Sequence, residues 1–341
     1  MINLKDIKST FIIAEASANH GQDFNRAVEM IKTAKECGVD AVKFQAYTPQ
    51  NMTINCNNEY FQVDHPEWGG QTLYQLYKKA YTPLEWFEDL KRKADEIDIS
   101  FFATAYDKET VDLLEDINIP IHKIASFELV DIPLIKYMAK TGKPLILSTG
   151  MANLEEINEA YNAAKEAGAT AITLLKCVSR YPADPKEMNL KTIPDMKERF
   201  DCKVGLSDHT LGNEVPVAAV ALGAEVVEKH FTLSREINTP DSFFSTEPDE
   251  LESLVKSIRT VEKSKGEVYY GQTNKQKKSR VFRRSLFAVK DINQGEKFTS
   301  QNIRSIRPGR GLSPKYLKKI IGRQAVRDIK KGTPLSWDLV E

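Results

Sequence analysis

Two histidines and two lysines frame the chemistry open to this chain. His209 and His230 end two consecutive strand-length apolar stretches, the runs beginning at Lys203 and at Glu225. If these are neighbouring parallel strands, they lie ~4.8 Å apart and both imidazoles reach one divalent ion. Two imidazoles alone leave such an ion with open positions for water or a substrate oxygen; the other reading is a pair of hydrogen-bonded rim histidines. Lys43 and Lys123 sit inside runs whose neighbours are apolar. An ammonium buried there is costly unless it meets an anion. Thr104, Ser126, Ser148 and Ser207 add hydroxyls at the same level. Two ammonium groups and four hydroxyls make a cradle for phosphate plus carboxylate. Internal pairing of the lysines with Glu15, Glu128 or Glu228 is the alternative. Glu15 ends the first run and can act as a general acid or base.

The elements that must position these groups are eight short runs: Phe11–Glu15, Ala41–Gln45, Phe101–Thr104, His122–Ser126, Pro144–Ser148, Ile172–Lys176, Lys203–Ser207 and Glu225–His230. Helical periodicity fills most intervals. Phe24, Ala27, Val28, Ile31 and Ala34 share one face, and Gly38 stands where a C-terminal stop belongs. Thr82-Pro83-Leu84-Glu85 and Asn153 with Glu156 read as helix starts with capping boxes, and Gly168 as a stop. Helices between buried strands predict a parallel sheet, and eight such units predict a closed (β/α)₈ TIM barrel. A doubly wound sheet is the competitor, but no GxGxxG follows the first run.

Barrel chemistry sits at the C-terminal ends of the strands. Those positions are Glu15, Asn19, His20, Lys43, Gln45, Thr104, Lys123, Ser126, Ser148, Thr149, Ser179, Tyr181, Ser207, His209, Glu228 and His230. His122 begins its run and reads as structural; His65 lies in a long aromatic insert, Asn51 to Tyr81, and carries no reading. That insert is either a packed excursion or a substrate-side lid.

The expected domains are a barrel over 1–270, a polar linker over 271–281 and a small β-rich domain over 282–341, with strand-like runs at Ser285–Val289, Asp291–Phe298, Ile303–Arg307 and Gly332–Trp337. The chain has 341 residues and zero formal net charge, yet residues 275–341 hold 18 Lys/Arg against 5 Asp/Glu. Segments of opposite sign can attract within or between chains. A basic tail also admits nucleic acid, but its charges are interleaved with turn and strand pattern, not clustered in one arm, so no nucleic-acid partner is expected. Cys37, Cys56, Cys177 and Cys202 show no CxxC pairing, which predicts neither disulfide frame nor zinc knuckle and suits a reducing, cytoplasmic setting. No apolar stretch approaches the ~18 residues of a membrane span, and the opening Met1-Ile-Asn-Leu-Lys-Asp6 lacks a signal-peptide layout.

These positions carry a resemblance. Ile13-Ala-Glu15 with Asn19-His20, Val42-Lys43-Phe-Gln45, Lys123-Ile-Ala-Ser126, Leu147-Ser148-Thr-Gly150-Met151, Gly205-Leu-Ser-Asp-His209, Glu228-Lys-His230 and, in the tail, Ile306-Arg307-Pro-Gly-Arg-Gly311 resemble the sialic acid synthase family over nearly the whole chain. The resemblance implies a barrel followed by an antifreeze-like (SAF) domain, working as a domain-swapped homodimer. It implies an enzyme joining phosphoenolpyruvate to an N-acetylated amino sugar aldehyde, with a divalent metal: manganese, with magnesium or cobalt as alternatives. By motif, His209 and His230 would hold the metal. Lys43, Thr104, Lys123, Ser126, Ser148 and Ser207 would bind phosphoenolpyruvate, and Glu15 would handle protons. Gln45, Tyr181 and Asp241 would face the sugar, Asp241 also as a support for a metal-bound water, and Arg307 of a partner's tail would contact its N-acyl group. Thr72–Trp86 and Pro240–Pro248 are similar to the branch whose acceptor is 2,4-diacetamido-2,4,6-trideoxy-L-altrose. Ser179 replaces the Asn that N-acetylmannosamine-using members carry before x-Tyr-Pro, which argues against that acceptor.

Overall fold

The eight runs pair in parallel and close on themselves. The computed structural model describes residues 8–341, so the expectation about the first six residues lies outside it. β1 (Phe11–Glu15), β2 (Ala41–Ala46), β3 (Ser100–Ala105), β4 (His122–Ile124), β5 (Leu145–Ser148), β6 (Ile172–Cys177), β7 (Lys203–Asp208) and β8 (Val226–His230) form a closed barrel in chain order. β1 closes it against β8, with Glu15 opposite His230. A parallel sheet covered on both faces loses the alternation of polarity, and every residue of β1 and of β8 is buried.

Helices fill the intervals: α1 (Phe24–Glu36) after β1, and α2 (Pro49–Met52), α3 (Leu73–Ala80) and α4 (Phe87–Glu96) after β2. One helix then follows each later strand: α5 (Lys108–Asp116), α6 (Ile132–Ala139), α7 (Leu154–Glu166), α8 (Thr192–Arg199), α9 (Glu214–Ala221) and α10 (Pro248–Lys265). Ala27, Met30, Ile31 and Ala34 form the buried stripe of α1. The box of Asn153 and Glu156 starts α7. The box expected at Thr82 does not form. The Thr82 hydroxyl instead meets His20 Nε2 at 2.9 Å, and a short 3₁₀ turn, Leu84–Trp86, leads into α4 without a side-chain cap. Both Thr82 and His20 are buried, and a buried imidazole nitrogen needs its partner more than a solvated helix end does.

One glycine is required by close approach. A Cβ on Gly205 of β7 would lie 2.2 Å from the Val226 carbonyl oxygen of β8. Any side chain there would push apart the two strands that carry the histidines.

Contacts divide the chain after Gly266 into units Met1–Gly266 and Glu267–Glu341. The stretch expected to be linker holds α11 (Asn274–Ser279), started by a capping box of Thr273 and Gln276. The cap motif decides this segment, where its polar composition had suggested a plain linker. In the second unit β9 (Ser285–Ala288) pairs antiparallel with β10 (Ile303–Ile306), and α12 (Leu317–Ile320) follows. The runs expected at Asp291–Phe298 and Gly332–Trp337 make only single bridges, Ile292 to Ile329, Lys297 to Gln324 and Phe287 to Pro334. Leu286, Ile292, Phe298, Ile303 and Leu335 give this unit its own core. All four cysteines are free, and among the described residues no helix is long and apolar enough to cross a membrane.

Candidate active site

Side chains at the C-terminal ends of the strands surround a cavity of about 660 Å³. It collects twelve of the thirteen residues singled out in the sequence: Glu15, Lys43, Gln45, Thr104, Lys123, Ser126, Ser148, Tyr181, Ser207, His209, His230 and Asp241. The thirteenth, Arg307, belongs to the second unit. Of the other strand-end positions, Asn19, His20 and Thr149 turn away from the cavity into internal bonds: Asn19 Nδ2 donates to Phe231 O, and Thr149 Oγ1 to Leu175 O. His122 also points elsewhere, to Glu115 at 2.8 Å.

The deep end is a charged ring. Lys43 Nζ lies 2.6 Å from Glu15 Oε2 and donates to Thr104 Oγ1 at 2.9 Å. Lys123 Nζ donates to Ser148 Oγ at 2.7 Å and to Ile124 O at 2.8 Å. Glu228 lies between the lysines, 3.8 Å from one and 3.9 Å from the other, with Ser207 Oγ at 3.3 Å. So the lysines are paired internally, as the alternative reading had it, but only the Lys43–Glu15 contact is tight. Lys123 reaches no carboxylate within hydrogen-bonding distance, so a stronger anionic acceptor has a place to bind.

The environments push the two carboxyls apart. Burial opposes ionisation of Glu228, yet Lys123 and Lys43 outweigh it and hold its pKa low. Burial dominates at Glu15 and holds its pKa above the ordinary range, with Lys43 opposing and Glu228 reinforcing. Divergent values in one cluster are what acid/base chemistry needs: Glu228 is the carboxyl held charged, and Glu15 is the one of the two suited to exchange a proton.

Beside this ring the rings of His209 and His230 stand 5.3 Å apart. His209 Nδ1 lies 2.8 Å from the Val178 carbonyl, which can only accept. Nδ1 therefore carries a proton and Nε2 is the nitrogen left to face a ligand, the orientation of a metal-ligating histidine; burial disfavours the charged ring, but Cys177 and the Val178 carbonyl outweigh it and raise its pKa. Burial, then the charges of His209 and Lys43, drive the His230 pKa well down, so it is neutral. Its Nδ1 is buried without a hydrogen-bond partner. Among the described residues no third His, Cys, Asp or Glu joins them in a metal-holding group. The donors present, two imidazoles, fit a borderline divalent ion, which would take the place of any proton on the ligating nitrogens and fill its other positions from water or substrate.

The outer half is built by the insert and by residues that the sequence reading missed. Val63, His65 and Trp68 of the insert, with Leu73, Leu76, Tyr77 and Ala80 of α3, line the cavity, so the insert is a packed excursion that also forms a wall. His65 stacks on Trp68 at 4.4 Å, and Trp68 Nε1 donates to Pro240 O at 2.6 Å. Ser17, Tyr47 and Tyr106 were also missed, and Glu128, named in the sequence only as a possible lysine partner, lines the cavity as well. Two of them were findable: Tyr47 and Tyr106 each stand two residues beyond a named inward-facing residue, Gln45 and Thr104. Ser17 Oγ donates to Asp241 at 2.5 Å and accepts from Gln45 at 2.8 Å. Gly150 lets two lining serines pack against its backbone, since a Cβ there would come within 2.1 Å of Ser179 Oγ and 2.7 Å of Ser126 Oγ.

Burial raises the Glu128 carboxyl to about 7, with Lys123 opposing. The folded chain then holds this proton more tightly than the unfolded chain. Its contribution to stability is complete below the ordinary value of 4.5 and falls as pH rises toward 7. Glu128→Gln will flatten that loss by on the order of 2 kcal/mol. Urea unfolding at pH 5 and pH 8 checks it; equal pH dependence in both proteins contradicts it.

The NeuB family model matches residues 30–270 and the SAF domain model residues 283–341. The pseudaminic acid synthase of Helicobacter pylori is 44% identical over 97% of each chain. The N,N'-diacetyllegionaminic acid synthase of Campylobacter jejuni is 39% identical, covering 95% of this chain and 98% of its own. A crystal structure of N-acetylneuraminic acid synthetase from Leptospira borgpetersenii, in complex with citrate, superposes with a TM-score of 0.73 at 34% identity, covering 82% of this chain and 94% of that one. The chain belongs to the NeuB family of sialic acid synthases, enzymes that make a carbon–carbon bond from phosphoenolpyruvate, and it is a nonulosonate synthase with a SAF domain.

Proposed function

We propose that the chain is a pseudaminic acid synthase, condensing phosphoenolpyruvate with 2,4-diacetamido-2,4,6-trideoxy-L-altrose to give pseudaminic acid and phosphate. The observation that carries this reading is the likeness to the Helicobacter pylori enzyme along nearly the whole chain. The cavity supports it. Leu73, Leu76 and Ala80 recur at helical spacing on α3 and line the outer half beside Met52 and Val63. Such a wall suits a sugar with a methyl at C6 and two acetamido methyls, and gives nothing to the hydroxyls of N-acetylmannosamine.

In this reading the deep ring receives phosphoenolpyruvate. Lys43 and Lys123 bind its phosphate and carboxylate, and Thr104, Ser126, Ser148 and Ser207 donate to the remaining oxygens. Gln45, Tyr181 and Asp241 orient the open-chain aldehyde above it. A divalent metal, manganese first, held by His209 and His230 supplies Lewis acidity toward the aldehyde carbonyl. Carbon three of phosphoenolpyruvate attacks the aldehyde carbon, and water adds to the cationic carbon two. Glu15 takes one proton from that water and passes it to the oxygen of the former aldehyde, and the remaining hydroxyl proton goes to the departing phosphate as the carbon–oxygen bond breaks and the ketone forms. The fixed ammonium groups stabilise the charge throughout, without reorganisation. The same reading takes the enzyme as a cytoplasmic, domain-swapped homodimer in which the partner's tail brings Arg307 to the N-acyl group. The opposite charges of the basic tail and of the rest of the chain favour such docking.

An acceptor panel tests the reading. Phosphate release is measured with phosphoenolpyruvate and each of the altrose, the legionaminate-type acceptor and N-acetylmannosamine. The altrose is expected to be preferred by at least about 10²-fold in kcat/KM. Preference for the second sugar would make the chain a legionaminate synthase, as the likeness to the Campylobacter jejuni enzyme allows. Phosphate release without any acceptor would make it a hydrolase.

A further inference from the structure

The turn that carries Asp241 hangs from one side chain of another loop. Asn19 lies in the 3₁₀ turn Ser17–His20 after β1 and is 1% exposed. It does not line the cavity, yet every polar atom of its amide is engaged. Nδ2 donates to Phe231 O and to Ser245 Oγ, both at 2.8 Å, and Oδ1 accepts from Thr239 Oγ1 at 2.8 Å. Thr239 and Ser245 flank Asp241. Ser245 Oγ donates onward to the Asp241 carbonyl at 2.6 Å, so a chain of hydrogen bonds runs from the Asn19 amide to the Asp241 backbone.

The same turn also holds the Asp241 side chain. Its Oδ2 accepts from Ser17 Oγ at 2.5 Å and from the Ala18 amide at 3.4 Å. Ser17 sits at φ 43, a left-handed conformation that a serine keeps only when its surroundings fix it. Residues 17–19 thus grip Asp241 by carboxylate and by backbone. An amide with both donors and its acceptor matched tolerates no substitute. Aspartate would set oxygen against the Phe231 carbonyl, and alanine would leave the Phe231 carbonyl and the Thr239 hydroxyl unpaired and take one bond from Ser245.

We propose that Asn19 is a positioning residue for the acceptor sugar, fixing where Asp241 stands in the cavity without touching substrate. The proposal rests on the reading that Asp241 faces the sugar. The phosphoenolpyruvate end is built from β2, β3, β4, β5 and β7, and none of those lysines or hydroxyls bonds to Asn19 or to the 239–245 turn. The effect therefore falls on one substrate.

Steady-state kinetics on Asn19→Ala, Asn19→Asp, Thr239→Val and Ser245→Ala tests this, with KM measured separately for phosphoenolpyruvate and for the diacetamido altrose, alongside the melting temperature. KM for the sugar is expected to rise about tenfold or more in the Asn19 variants and severalfold in the other two. KM for phosphoenolpyruvate stays within about twofold. In an Asp241→Asn background, Asn19→Ala adds little further rise, because the two act as one unit. If the Asn19 variants do not fold, Thr239→Val and Ser245→Ala, each deleting one bond, carry the test. A merely structural role lowers the melting temperature and the active fraction while both KM values hold, or raises both together; either result overturns the proposal. A wild type that ignores the altrose sinks the acceptor reading first, and shows it before any variant is made.

Discussion

Lys123→Met will cut kcat/KM for phosphoenolpyruvate by roughly 10²–10³-fold, the usual cost of losing one charged partner of a buried anion. Lys123 is held by neutral groups, the Ser148 hydroxyl and the Ile124 carbonyl, while its nearest carboxylate stands at 3.9 Å. Burial lowers its pKa, with Glu228 offsetting that only in part. Such an ammonium is held ready for a ligand more than for the fold. Methionine keeps the volume and the apolar stem. Removing the charge also removes its desolvation cost, so the fold should lose less than the ~3–5 kcal/mol of a broken buried pair. Lys43→Met should destabilise more, because it strips Glu15 of a 2.6 Å partner. Phosphate release against phosphoenolpyruvate concentration measures the effect. A variant within threefold of wild type would show that Lys123 serves the fold.

His209→Ala will abolish metal-stimulated turnover, with a fall of at least about 10²-fold at saturating substrates. The ring is aimed by its bond to Val178 O at 2.8 Å, and its neighbour His230 presents a buried, unpartnered nitrogen. Alanine removes one of two imidazole donors and leaves the other too weak to retain the ion. The wild type should lose activity to a chelator and regain it with manganese. The variant should bind manganese at least tenfold more weakly by electron paramagnetic resonance. Near-normal turnover and metal affinity in His209→Ala would end the metal assignment for this pair.

The barrel was legible because each inward-facing chemical group sits on a short apolar run. Lys43 and Gln45 share a face by period two, and so do Glu228 and His230. The same alternation carried two residues further reaches Tyr47 and Tyr106, which a reading that stops at the strand end misses. Asn19 and His20 have the chemistry of site residues, but the 3₁₀ turn after β1 sends them into the protein, a change of direction that no local signal announces. Thr82 shows a local motif overruled by a distant partner. In the other direction, Thr273 with Gln276 shows a local motif that should have outweighed polar composition. The insert could not be placed from sequence, because its anchor, Trp68 against the Pro240 carbonyl, joins residues 172 positions apart.

The deep ring, as the proposed seat of the enol phosphate, is what a direct binding measurement can test. Calorimetric titration of phosphoenolpyruvate into the wild type and into Lys123→Met, with no acceptor present, measures this without catalysis. One-to-one binding that inorganic phosphate competes away, and that weakens by about 10²-fold or more in the variant, is the predicted result. Equal affinity in the two proteins would place the anion elsewhere and contradict it.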